Sequence, residues 1–160
     1  MIIVIDFGSQ TAHLIGRRLR QLGVPVEYVY PEEALPAISK KKPSGIILSG
    51  GPDFVDRKGA PTIPKKLFDL GIPVLGICYG WQLMSYILGG EGKITAKEFG
   101  PEMLHITKRK DIFNLPEKDF TVIVSHGYTV TKPPPGFEIV ASTAKGNYAA
   151  GFNADKKLYG

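Results

Sequence analysis

Cys78 is the only cysteine in a chain of 160 residues, and it stands between two glycines in the run Val74-Leu75-Gly76-Ile77-Cys78-Tyr79-Gly80-Trp81-Gln82. The apolar residues before it read as a buried strand, and Trp81 to Leu88 carries a helical pattern. Glycine two residues to either side gives such a strand-to-helix turn room for a sharp bend. The bend lifts the sulfur to the carboxyl edge of a sheet and sets it at a helix N-terminus, whose partial positive charge favours the thiolate. A thiolate attacks an amide carbon, so the pattern predicts covalent acyl-transfer chemistry. A lone cysteine is otherwise commonly a small buried hydrophobe, and the flanking glycines are what set this one apart.

Acyl transfer needs donors for the oxygen that becomes negative. Gly50-Gly51-Pro52 follows the apolar run Ile46-Ile47-Leu48, where adjacent glycines let backbone N–H groups face a cleft. The Gly51 N–H is one candidate donor, against the plain alternative of a tight turn. The Tyr79 N–H, directly after the nucleophile, is the natural second donor. Of the three histidines, His13 reads as structural or surface, and His105 has no evident partner. His126, in Val124-Ser125-His126-Gly127 at the end of an apolar strand, is the only tempting base for Cys78. Separated histidines and one cysteine make no metal site.

Alternating strands and helices must position these groups. Strands are predicted at Ile2 to Ile5, Val26 to Tyr30, Gly45 to Ser49 and Val74 to Ile77, with helices from about Gln10 to Leu22, Glu32 to Lys41 and Lys65 to Leu70. Ser9 is a plausible N-cap for the first helix, with Ala12, Ile15, Leu19 and Leu22 on one face. The alternation predicts an α/β fold: a doubly wound, mostly parallel sheet with helices on both faces, its sites beyond the carboxyl ends of the strands. Asp6-Phe7-Gly8-Ser9-Gln10 at one such end lacks the phosphate-binding glycine patterns and reads as turn and cap. After Gly90, strands predicted at Lys93 to Phe99, Met103 to Thr107, Thr121 to Ser125, Phe137 to Ser142, Tyr148 to Phe152 and Lys157 to Tyr159 form an antiparallel extension.

Composition narrows the classes. Hydrophobic residues make up 43% and charged residues 22%, an ordinary globular balance. The net charge of +5 comes from scattered basic residues without interleaved aromatics, which argues against nucleic acid; Lys40-Lys41-Lys42 reads as a helix end. No apolar run is long enough for a membrane span, and the start lacks the pattern of a signal peptide. One cysteine, with no internal disulfide, suits a reducing cytoplasm.

Together, Ile5-Asp6-Phe7-Gly8-Ser9-Gln10, Leu48-Ser49-Gly50-Gly51-Pro52, Gly76-Ile77-Cys78-Tyr79-Gly80-Trp81-Gln82 and Ser125-His126-Gly127 resemble the class I, triad-type glutamine amidotransferases, in order over essentially the whole chain. The first two motifs favour the glutaminase domain or subunit of GMP synthase. The resemblance implies a flavodoxin-like sheet and attack of Cys78 on the side-chain amide of glutamine. It also implies an oxyanion held by the N–H groups of Gly51 and Tyr79, and substrate held by Gln82, Ser125, His126 and Gly127. Ammonia would pass to an ATP-pyrophosphatase (synthetase) domain or subunit that aminates XMP to GMP. No cofactor is expected in this domain; ATP and magnesium belong to the partner.

Several positions depart from the family. Its base and acid lie in a His-Pro-Glu segment after a strand within which this sequence stops, at Tyr159-Gly160. Residues 1–160 are therefore expected to be one amidotransferase domain truncated at its C-terminal end, with little or no glutaminase activity. A triad without its base loses several orders of magnitude, ~10⁶ in a well-studied serine enzyme. His126 does not match the family base. Tyr128 stands where Asp is common, Trp81 where an aliphatic residue is usual, and Pro101 where Arg is common. A truncated last strand is expected to leave apolar surface and an open edge. The alternatives are an amidotransferase of another amination pathway, another cysteine hydrolase of the broader fold, and a non-catalytic or regulatory subunit.

Overall fold

The computed structural model describes residues 1–145 and 148–160, with all their side chains except those of 96–98. Four short apolar runs become β1 (Ile2–Ile5), β2 (Val26–Val29), β3 (Gly45–Leu48) and β4 (Val74–Gly76). They alternate with α1 (Ala12–Gln21), α2 (Ala34–Lys41) and α3 (Tyr79–Ile87). The rest of the chain forms β5 (Glu91–Ile106), β6 (Asp119–Lys132), β7 (Glu138–Thr143), β8 (Tyr148–Asn153) and β9 (Leu158–Tyr159). Among the described residues these strands make one sheet in the order β2-β1-β3-β4-β9-β8-β7-β5-β6. The strands from β2 to β9 in that order run parallel, and those from β9 to β6 pair antiparallel. The α/β architecture agrees with the sequence reading.

Ile3 and Ile5 point to a core shared with Ile46, Leu48 and Val74 of the sheet, Ala34 and Ile38 of α2, and Leu83 and Met84 of α3. Val4, whose side chain alternates to the opposite face, is also fully buried. Burial on both faces is what near-continuous apolar strands predict for a parallel sheet. A second, smaller cluster joins Ile106, Val140, Ala141, Ala150 and Phe152 in the antiparallel half.

Local details differ from the sequence expectations. α1 starts at Ala12, with Thr11 in the cap position and no side-chain cap bond. Ser9 does not cap it, because its hydroxyl is turned to the Thr11 N–H and Oγ1, while Asp6 Oδ1 accepts the N–H groups of Gly8 and Ser9. Leu22 is exposed, since the helix ends before it reaches the buried face. Lys65–Asp69 forms a 3₁₀ turn, with Leu67 and Phe68 buried. The strands expected on either side of Gly100-Pro101 fuse into β5, because Gly100 adopts φ +114° and pairing with β6 continues through Pro101↔Ile123. β9 lies inside the sheet between β4 and β8, so the open edges are β2 and β6. No helix among the described residues is long and apolar enough to cross a membrane.

Candidate active site

β4 delivers the chain to Cys78, which takes φ +52° and ψ −110° before α3 begins at Tyr79. A non-glycine residue rarely occupies that region, and here the flanking glycines make it sterically feasible. A Cβ on Gly76 would stand 2.7 Å from the Gly80 carbonyl carbon and the Trp81 nitrogen. A Cβ on Gly80 would stand 2.4 Å from the Leu48 carbonyl oxygen. The turn is therefore pressed against β3. It is tied there by hydrogen bonds from Ile77 N–H to the Leu48 carbonyl (2.9 Å) and from Gly80 N–H to the Ser49 carbonyl (3.0 Å).

Cys78 is exposed at the carboxyl end of the sheet, as the strand–turn–helix pattern predicts. The expected preference for thiolate is not met by the surroundings it has here. Loss of solvation pushes the thiol pKa up, and the hydrogen bond from the Tyr79 backbone N–H only partly opposes it. That bond also places the Tyr79 N–H beside the sulfur. The Tyr79 side chain turns away: its ring packs 5.2 Å from that of Phe7, and its hydroxyl donates to the Pro61 carbonyl. Burial, with Asp53 nearby, pushes the Tyr79 hydroxyl pKa up to about 12, so it stays protonated and keeps that bond.

The end of β3 lies alongside. A Cβ on Gly50 would come within 3.7 Å of Cys78 Cβ, and one on Gly51 within 2.9 Å of the Phe7 carbonyl oxygen and 3.3 Å of Tyr79 Cγ. Gly51 thus fits between the end of β1 and the cysteine turn only without a side chain, while Gly50 lies in ordinary van der Waals contact with Cys78.

A cavity of about 390 Å³ opens between the cysteine turn and the β5–β6 hairpin, and Cys78, Gln82, Ser125 and His126 all line it. Gly51, Tyr79 and Gly127 do not line it. Gln82 is buried, and its Nε2 donates to the Tyr128 carbonyl at 2.9 Å, tying α3 to β6. His126 is half-buried within β6, whose pairing runs on past it to Lys132, whereas the sequence places it at a strand end. His105 does have a partner: its Nδ1 is 2.6 Å from Asp119 Oδ1 on the paired strand.

The departures from the family pattern are structurally anchored. Tyr128 is buried, 6.5 Å from the Phe54 ring, and it fits only because Gly92 has no side chain; a Cβ there would lie 2.3 Å from Tyr128 Cε1. Trp81 is buried with its ring 5.5 Å from Phe137, and it fills the space where a Cβ on Gly160 would sit. Pro101 is exposed on β5. Sequence reasoning missed Ser49. It is fully buried, and its hydroxyl bridges the Phe7 N–H and the Gly50 carbonyl. Only its place before the two glycines could have drawn notice, since its partner on β1 depends on tertiary pairing.

Comparison with known proteins matches residues 3–160 to the family described as glutamine amidotransferase class-I. The chain belongs to that family. Among relatives of this amidotransferase are proteins named GMP synthase [glutamine-hydrolyzing]: that of Aquifex aeolicus (strain VF5) is 44% identical over 99% of the chain, and that of Staphylococcus carnosus (strain TM300) is 43% identical over 100%. The amidotransferase chain spans 31% of the length of each. Among solved structures, a protein from Thermoplasma acidophilum described as a candidate GMP synthase subunit superposes with a TM-score of 0.85 at 28% identity, covering 99% of this chain and 80% of that one. A glutamine amidotransferase from Thermotoga maritima superposes with a TM-score of 0.79 at 20% identity over 99% of this chain and 73% of that one, a likeness of fold.

Proposed function

We propose that this amidotransferase chain is the glutaminase part of a GMP synthase. The observation that carries the reading is Cys78, held at φ +52° on a turn that packs directly against the Gly50–Gly51 segment. The Cys78 sulfur, losing its proton, bonds to the side-chain amide carbon of glutamine, and the carbonyl π pair moves onto oxygen. The N–H groups of Gly51 and Tyr79 stabilise that oxyanion. When it collapses, the C–N bond breaks and nitrogen, taking a proton, leaves as ammonia. Water then attacks the thioester and releases glutamate. Gln82, Ser125, His126 and Gly127 hold the substrate. Gln82 does so by setting the wall formed by β6, given its bond to the Tyr128 carbonyl.

Two proton-handling groups are needed, and the family supplies them from a His-Pro-Glu segment that does not occur within these residues. Residues 1–160 alone therefore hydrolyse glutamine very slowly. In the complete enzyme the ammonia goes to an ATP-pyrophosphatase partner that binds ATP and magnesium and aminates XMP to GMP, with no cofactor in the glutaminase part.

A chloroketone analogue of glutamine tests the site. It should add a single mass increment to Cys78, and excess glutamine should block the addition. Labelling indifferent to glutamine overturns the substrate assignment. Steady release of glutamate by the 160-residue chain at rates usual for an enzyme overturns the expectation of slow turnover.

A further inference from the structure

Ser49 Oγ accepts the Phe7 N–H at 3.0 Å and lies 2.7 Å from the Gly50 carbonyl oxygen, with Asp6 Oδ1 farther away at 3.5 Å. A hydroxyl has one proton to donate, and distance assigns it to the Gly50 oxygen. A trans peptide is planar, with its C=O and N–H on opposite sides. Holding the Gly50 oxygen therefore fixes the direction of the Gly51 N–H. Sheet order gives that direction. Phe7 follows β1, on one side of β3, while β4 and Cys78 lie on the other. Ser49 Oγ is anchored on the β1 side by the Phe7 N–H, so a carbonyl held by that hydroxyl would turn toward β1 and the opposed Gly51 N–H toward Cys78. A peptide between two glycines has little steric resistance to turning over. Turned over, it would present a carbonyl lone pair, instead of a donor, to a developing negative oxygen.

We propose that Ser49 is a positioning residue that locks the Gly50–Gly51 peptide in the orientation needed to stabilise an oxyanion on the substrate of Cys78. This rests on the reading of Gly51 as an oxyanion donor in the site proposed above. The same residue clasps the cysteine turn through its backbone carbonyl, so one buried serine sets both halves of the site.

The test compares two reagents on Cys78. The aldehyde analogue of glutamine forms a hemithioacetal: sulfur bonds to the aldehyde carbon, and the oxygen gains the π pair and the thiol proton, seating that oxygen where the donors converge. Iodoacetamide alkylates sulfur by displacing iodide, with no charge developing on a carbonyl oxygen. Ser49→Ala should weaken aldehyde binding by roughly ten- to hundredfold, below the full loss from deleting a donor, while the alkylation rate changes little. Ser49→Thr should restore binding, because it keeps the hydroxyl. Ser49→Cys, close in volume but a weak donor, should weaken binding nearly as much as Ala and serves if the alanine variant does not fold. Unchanged aldehyde affinity in Ser49→Ala or Ser49→Cys overturns the proposal. An equal fall in both reactions overturns it as well, since that marks a purely structural role. Failure of the unsubstituted chain to bind the aldehyde overturns the amidotransferase-site reading itself, and the positioning role with it.

Discussion

The backbone at Cys78 stores free energy in the place where chemistry is expected. A non-glycine residue in such a region costs about 1–3 kcal/mol, and the turn persists because β3 and α3 hold it from both sides. Replacing Cys78 by glycine should therefore stabilise the fold, by about 1 kcal/mol once the larger unfolded-state entropy of glycine is set against the relieved strain. A urea melt with an unchanged slope and a higher midpoint is the expected outcome, and a lower midpoint would contradict it. The thiol makes a second prediction. Because partial desolvation raises its pKa although the residue is accessible, less thiolate is present near neutrality than for an ordinary cysteine, and the alkylation rate should keep climbing past the ordinary thiol value of 9.0. A plateau near pH 7 would mean that some group lowers the pKa instead. The Cys78 turn was legible in the sequence because glycine spacing encodes it locally. The direction of the pKa was not, because helix-terminus polarity is local while desolvation depends on what surrounds the sulfur.

α3 and β6 meet through Gln82, and their junction depends on residues distant in sequence. The Gln82 amide is the donor to a buried Tyr128 carbonyl, so Gln82→Leu removes a buried hydrogen bond and should cost about 0.5–1.5 kcal/mol. Tyr128→Asp, which installs the residue common in the family, should cost more here, about 3–5 kcal/mol. It removes a buried ring from Phe54 and Gly92 and buries a carboxyl. Denaturant unfolding measures both, and a neutral Tyr128→Asp would show that the site adapts. The helices and parallel strands could be read from apolar runs and glycine punctuation, which are properties of neighbouring residues. The continuity of β5 through Pro101 and the pairing of His105 with Asp119 could not, because cross-strand register decides both. Ser9 failed as a cap for a related reason: the Asp6 carboxylate had already folded the loop into its own turn.

Across the whole chain, one sheet joins two unequal cores, and the joint is narrow. Leu158 is buried in the larger cluster while its neighbour Tyr159 packs against the smaller one, so the two residues of β9 belong to both. β6 adds a second attachment, since Tyr128 and Val130 also enter the larger core. Beyond that point the β5–β6 hairpin forms the sheet edge and carries Phe99 at 69% and Ile123 at 77% exposure. Few buried contacts hold a segment of that kind closed, so local opening is expected to begin there. Amide hydrogen exchange should show the slowest protons in β1, β3 and β4 and the fastest strand protons around Val122–Val124 of β6. Leu158→Ala, with a cost of about 2–5 kcal/mol for a fully buried leucine, should speed exchange in β8 and β9 more than in β1. Equal acceleration everywhere would mean that the two cores unfold only together. Unequal acceleration would locate the mechanical seam beside the strand that leads to Cys78, the point at which the site is exposed to the stability of the antiparallel half.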